Sequence, residues 1–227
     1  MSTPRYDLYS AIHKGLRLLM MDTLVQLGRT DWQDPQQSES SLQLAEYLLQ
    51  TCQAHLEHEN AFIHNALNRL DPESCAKTTH DHRHHEQSIQ MLGQHIQQVR
   101  SQALQSKAFL GSDLYRAFGL FVAENLEHML WEETHNNAAL WRLFSDAEIQ
   151  AIEHNLVQSI APVTMLPILR FMLPALNSQE RQAMLEQLEQ VLPEPVFAEL
   201  SQSVGARKES LEWVQQWQTE NLTPALT

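Results

Sequence analysis

The amino-acid sequence predicts an all-α protein: an antiparallel four-helix bundle followed by a C-terminal helical extension. The 227 residues include only six glycines and are rich in Leu, Gln, Glu and Ala, a composition typical of helices. Four long amphipathic segments joined by loops are typical of an antiparallel bundle. We therefore expect the bundle over residues 1–144 and further helices, packed on the bundle, over residues 145–227.

The four bundle helices are predicted from stripes of apolar residues at spacings of three and four. Their predicted ranges are 6–28, 41–70, 79–104 and 112–143. Residues 30–40 read as a polar loop, and Asp71 precedes a proline, which disfavours helix at the residue before it. Ser112 is the expected cap of the fourth helix.

The extension is predicted as a series of shorter helices divided by prolines. Ser145 with Glu148 and Asn177 with Glu180 have the spacing of capping boxes, which open helices. After the helix opened at Ser145, the predicted ranges are 163–173, 177–192, 195–204 and 206–219.

Charge and hydropathy argue against nucleic acid and membranes as partners. The formal net charge of −13 is spread along the chain and repels phosphates and anionic lipids. The longest apolar run, residues 160–176, is interrupted by three prolines and Arg170. The N-terminus lacks the apolar stretch of a signal peptide, and the two cysteines form no CxxC motif. We expect a cytoplasmic protein with no membrane segment.

Histidines paired with glutamates indicate a metal site inside the bundle. His55 with Glu59 and His128 with Glu132 stand four residues apart, so each pair leaves one face of its helix. Both pairs lie on apolar stripes with little Lys or Arg, where an unpartnered glutamate is unfavourable. Imidazole with carboxylate suits iron, manganese or zinc. With single histidines on the other two helices, the predicted ligands are His13, His55, Glu59, His85, His128 and Glu132.

Several neighbouring residues leave alternatives open. A single histidine on an apolar face is most often a satisfied core residue. His82 lies three residues before His85 on the same stripe and is a second candidate ligand from that helix. Glu133 is expected to be an outer partner of the site or exposed, and Tyr9 to donate a hydrogen bond near it. His135 could line an approach to the site.

The motifs on the four helices together resemble the hemerythrin-like, HHE cation-binding family. They are His13, HLEHE from His55, DHRHHE from Asp81 and HMLWEE from His128, and the resemblance covers about residues 6–143. It implies a bundle around a non-haem di-iron centre. It also implies a role for each of the six predicted residues: His13, His55, His85 and His128 as terminal ligands, and Glu59 and Glu132 as bridges.

The resemblance implies a protein that binds O2, NO or peroxide. This ligand set of four histidines and two glutamates is more similar to that of the bacterial iron–sulfur-repair proteins than to that of the oxygen carriers. Sensing, stress response and iron handling or iron–sulfur repair are the expected roles. The alternative is a di-iron oxygenase or oxidase for an organic substrate, with a cavity lined by Phe121, Met129 and Trp131. A third hypothesis is a metal-free interaction module, whose properties would barely change if His128 were replaced.

Overall fold

The computed structural model describes residues 5–205, except for the side chains of residues 104, 105, 162, 163 and 203–205. Every element of this part is helical, which confirms the predicted all-α class. The predicted helix over residues 206–219 lies outside the described residues. None of the described helices is long and apolar enough to cross a membrane.

The chain forms ten α-helices over the described range, with two π-helical segments and one 3-10 turn between them. The α-helices are α1 (Ser10–Arg29), α2 (Pro35–His58), α3 (Asn65–Leu70), α4 (Ala76–Ser101), α5 (Leu104–Trp131), α6 (Asn137–Leu143), α7 (Asp146–Ser159), α8 (Pro162–Ala175), α9 (Ser178–Val191) and α10 (Glu194–Gly205). The first π segment, Glu59–His64, joins α2 to α3, and the second, Glu132–Asn136, joins α5 to α6. The 3-10 turn, Pro72–Cys75, precedes α4.

Two of the predicted helix starts are wrong by six residues or more, and α1 begins at Ser10, four residues after its predicted start. Helix α2 begins at Pro35, because the Asp34 carboxylate accepts from two backbone N–H groups of the first turn and proline suits the first helical position. The second half of the predicted loop is therefore helical. Helix α5 begins at Leu104, so Ser112 lies inside it and donates its hydroxyl to the carbonyl of Ala108. Ser112 is not a cap.

Both predicted capping boxes are confirmed. Ser145 accepts from the backbone N–H of Glu148, whose carboxylate accepts from the backbone of Ser145. Asn177 and Glu180 make the same reciprocal pair at the start of α9. These four residues satisfy N–H groups that have no partner within a helix.

Four long helices contact one another in a closed cycle. Helix α1 packs against α2 and α5, and α4 packs against the same two helices. The buried apolar residues form a main cluster, which includes Leu16, Leu48, Leu92 and Phe118. A second cluster includes Tyr9, Ile63, Cys75, Leu140 and Ile149. Each of the four long helices, taken with the residues next to it, contributes to both clusters. Between its residues in one cluster and its residues in the other lies a buried histidine or glutamate.

Helices α7 and α8 both pack against the part of the chain that precedes residue 145. Ile149 of α7 is fully buried in the second cluster. Helix α8 lies so close to α1 that a Cβ on Gly15 would stand 2.8 Å from Cγ of Met172 and 3.1 Å from its Cα. Glycine is therefore required for this close approach. The division of the chain at residue 145 into two units stays a prediction.

Candidate metal centre

Two groups of histidine and glutamate side chains, all buried except for the half-buried His55, lie where α1, α2, α4 and α5 meet. In each group, one nitrogen or oxygen atom from every residue lies within 4.8 Å of the others. The His13 group contains His13, His55, Glu59 and Glu132, and the His82 group contains His82, His128, Glu59 and Glu132. Both groups could hold a metal ion, and they share both glutamates.

Each shared carboxylate reaches toward both groups. Oε1 of Glu59 lies 3.7 Å from Nε2 of His13 and 3.2 Å from Nε2 of His55, whereas its Oε2 lies 3.5 Å from Nε2 of His82. Oε2 of Glu132 lies 3.4 Å from Nε2 of His13, and its Oε1 lies 3.5 Å from Nε2 of His82. Donor atoms bound to one ion at about 2.1 Å stand roughly 3 to 4 Å apart. The observed separations fit that range.

Nε2 of His82 and Nε2 of His128 lie 3.1 Å apart, within hydrogen-bond distance, but the other donor atoms of the site have no hydrogen-bond partner within the described protein. These buried atoms include Nε2 of His13 and of His55 and both carboxylate oxygens of Glu59 and of Glu132. Burying two carboxylates is unfavourable unless cations balance their charge, and bound metal ions would supply that charge. The donor set therefore fits metal ions.

Local helix geometry produces the two histidine–glutamate pairs. Residues four apart share a face of an α-helix, and Nε2 of His128 lies 3.4 Å from Oε2 of Glu132. Each glutamate is also the first residue of a π-helical segment. Such segments are rare and are often found at functional sites, because they change the direction of the residues that follow.

Outer partners hold His13 in place. Nδ1 of His13 donates to Oε1 of Glu133 at 3.1 Å, and Arg17 donates to both oxygens of Glu133 at 2.6 and 3.0 Å. A carboxylate on one ring nitrogen leaves the other nitrogen as the metal donor and makes it more basic. Glu133 is therefore an outer partner of the site, one of the two positions expected for it.

Charge balance in the site is reflected in the pKa values of its imidazoles. Burial lowers the pKa of His55 to about 4 and also lowers that of His128, so both rings are neutral near pH 7. Burial alone would lower the pKa of His13 and His82 too, but the negative charge of the neighbouring carboxylates, above all that of Glu132, outweighs it. The pKa of His13 is raised well above its usual value, and that of His82 to about 9. Metal binding must displace these two protons.

His82 rather than His85 joins the second group. His85 is buried, its ring lies edge-on to His128 at 4.8 Å between centroids, and its Nδ1 has no hydrogen-bond partner. Among the described residues, neither group includes it. Burial and the neighbouring His128 lower the pKa of His85 to about 3. Its role as a ligand stays a prediction.

Sequence reasoning did not identify two residues beside the site, His64 and Asn60. His64 is buried in the first π segment, and its Nε2 lies 3.8 Å from Oε1 of Glu132. Asn60 receives hydrogen bonds from His64 and from His82. An α-helical stripe gave no signal for His64, since five residues after Glu59 it falls about 140° away around an ideal helix.

The other residues expected near the site have varied surroundings. The hydroxyl of Tyr9 accepts a hydrogen bond from Asn136 at 3.3 Å, and burial raises the pKa of this tyrosine well above its usual value. Phe121 and Met129, expected to line a cavity, are packed in the main cluster. Trp131 stacks on the exposed His135, with 3.6 Å between ring centroids.

Replacing Glu133 with Ala is expected to weaken binding of the ion in the His13 group by roughly 10- to 100-fold, the usual effect of losing the partner of a ligating histidine. His13 would lose its acceptor, and Arg17 its ion pair. Titration with ferrous iron against a competing chelator measures this affinity. Glu127 is exposed near the end of α5, six residues before Glu133, so Glu127→Ala is the matched control. Equal affinities in the two variants would contradict the assigned role.

Fold and site define this chain as an all-helical protein in which buried histidine and glutamate groups could hold metal ions. Comparisons with models of protein families, with curated proteins and with solved structures found no match. The resemblance to hemerythrin-like proteins therefore stays a prediction.

Proposed function

We propose that this chain is a hemerythrin-like four-helix-bundle protein with a non-haem di-iron centre that binds a small ligand, O2, NO or peroxide. Sensing, stress response and iron handling or iron–sulfur repair are the roles in which such a centre would serve. The single observation that carries the proposal is that two groups, each of which could hold a metal ion, share Glu59 and Glu132. Two separate mononuclear sites would not place both carboxylates in both groups.

The order of the apolar clusters along the chain supports an antiparallel bundle. Helix α1 passes from the second cluster, at Tyr9, to the main cluster, at Leu16, and α2 runs from the main cluster to Ile63 of the second. Helix α4 follows Cys75 of the second cluster and reaches the main one, and α5 leads back to the second. The direction thus reverses at each connection, as in an up-down-up-down bundle.

The ligands in this proposal come from all four helical segments. His13 and His55 would hold one ion, His82 and His128 the other, and the two glutamates would bridge them, so that His82 takes the place assigned to His85. A di-iron centre supplies redox-active metal with coordination positions for a small ligand. The protein encloses the donors between apolar clusters, and Glu133 with Arg17 fixes the ring of His13. The free, buried Cys52 and Cys75 are consistent with a reducing, cytoplasmic location.

Metal analysis of the purified full chain tests the proposal. Expressed with iron available, the protein is expected to contain about two irons per chain, the number that two groups with bridging carboxylates would hold. Manganese and zinc are determined on the same sample. Less than a few tenths of any metal per chain, also after anaerobic reconstitution with ferrous iron, would overturn the proposal.

A matched pair of double variants separates the buried site from adventitious binding. His55→Ala with His128→Ala removes one imidazole from each group and is expected to abolish stoichiometric iron. His80 and His84 are exposed histidines of α4, so His80→Ala with His84→Ala should retain the full content. Loss of iron in the second variant alone would locate the metal on the surface. Exposure of the reduced, loaded protein to O2 or NO, followed by absorption and EPR spectra, then identifies the small ligand.

A further inference from the structure

A seventh side chain points into the centre, and the six residues of the two groups do not account for it. His64 is buried, with 2% of its surface exposed. Its Nε2 has no hydrogen-bond partner and lies 3.8 Å from Oε1 of Glu132, the oxygen that also faces His82. We propose that His64 is the third imidazole ligand of the ion held by His82 and His128. This inference rests on the proposed di-iron centre.

Asn60 gives His64 the ring orientation that a ligand requires. Its side-chain oxygen accepts from Nδ1 of His64 at 3.0 Å and from Nδ1 of His82 at 2.8 Å. With the proton on Nδ1, Nε2 carries the lone pair that binds a metal. One amide oxygen therefore prepares two neighbouring imidazoles in the same way. Their rings stack with 4.6 Å between centroids and 26° between planes. Both Nε2 atoms approach the same oxygen, Oε1 of Glu132, at 3.8 Å from His64 and 3.5 Å from His82.

The first π-helical segment explains how His64 reaches the centre. In a continuous α-helix, residues five apart differ by about 140° in direction and cannot serve one site. The π segment spans Glu59–His64, and i→i+5 hydrogen bonding brings residues five apart closer to one face. The segment thus begins at Glu59 and ends at His64, both of which are metal ligands in this proposal. A π-helical turn is less favourable than α-helix, and a metal–imidazole bond would compensate for it.

With His64 as a ligand, the two ions have unequal surroundings. The His82 group together with His64 would supply three imidazoles to its ion and the His13 group two, with both carboxylates common to the pair. The ions should therefore differ in affinity and in spectroscopic signature, and removing His64 should affect only one of them.

The test titrates the full-length protein and its His64→Ala variant with ferrous iron under anaerobic conditions, against a competing chelator. The wild type is expected to bind two ions. In the variant, the apparent dissociation constant of one ion should rise at least about tenfold while the other is unchanged. Mössbauer spectra of the ⁵⁷Fe-loaded proteins should show two components in the wild type, of which one shifts in the variant. His80→Ala, an exposed histidine of α4, is the control and should match the wild type.

The outcomes separate this inference from the proposed function. Two ions of unchanged affinity in His64→Ala, with both Mössbauer components intact, would overturn the role of His64 and leave the di-iron centre standing. A wild type that binds no iron would overturn both. If His64→Ala fails to fold, His64→Gln keeps the volume of the side chain and gives the same readout. Asn60→Ala alters an exposed residue and should weaken binding of the same ion as His64→Ala does. Weaker binding of the other ion would contradict the assignment.

Discussion

Replacing Glu132 with Gln is expected to remove both metal ions of the proposed di-iron centre, lowering the content from about two per chain to less than about half an ion. The carboxylate of Glu132 belongs to both groups, with one oxygen 3.4 Å from His13 and the other 3.5 Å from His82. Gln has nearly the same size but no negative charge, so it cannot bridge two cations. Metal content by mass spectrometry and ferrous titration measure the effect.

His55→Ala is the informative comparison for Glu132→Gln. His55 belongs to the His13 group only, and the His82 group keeps all its residues in that variant. We expect His55→Ala to weaken the binding of one ion and to leave the second ion bound. Iron should raise the melting temperature of the wild type, because a ligand that binds only the native state stabilises it, and should not raise that of Glu132→Gln. Two ions retained in Glu132→Gln would contradict the bridging role.

Replacing Gly111 with Ala is expected to destabilise the metal-free protein by about 3 kcal/mol, at the upper end of the usual effect of overpacking. A Cβ at this position would lie 2.2 Å from two ring atoms of Trp32 and 2.6 Å from its Nε1. Trp32 is buried between the ends of α1 and α2 in the main cluster, so its rigid indole has little room to move. Urea unfolding monitored by circular dichroism, with a chelator present, measures the change.

Gly119 provides the matched control on the same helix. A Cβ there would meet nothing within 4 Å, so Gly119→Ala should be neutral or stabilising by roughly 0.5 to 1 kcal/mol, the helix preference for alanine. If the indole causes the loss at Gly111, combining Gly111→Ala with Trp32→Leu should cost less than the sum of the two single changes. Equal stability of the Gly111 and Gly119 variants would show that this contact does not constrain the fold.

Local features of the fold and site followed from the sequence. Helical composition and the stripe spacing predicted the all-α class, and the capping boxes at Ser145 and Asn177 are observed as predicted. The contacts of His55 with Glu59 and of His128 with Glu132 also followed, because a spacing of four residues determines which side chains meet on one helix. All of these depend on backbone geometry over one turn.

Tertiary structure decided which of the neighbouring candidates reach the centre. His82 and His85 lie on one apolar stripe, and the rotation of α4 against its neighbours places the first in a group that could hold a metal ion and the second edge-on to His128. The π-helical segment turns His64 inward, and Arg17 meets Glu133 from another helix. Helix rotation and a local change of helical pitch depend on packing between distant segments, so the periodicity of a single helix cannot predict them.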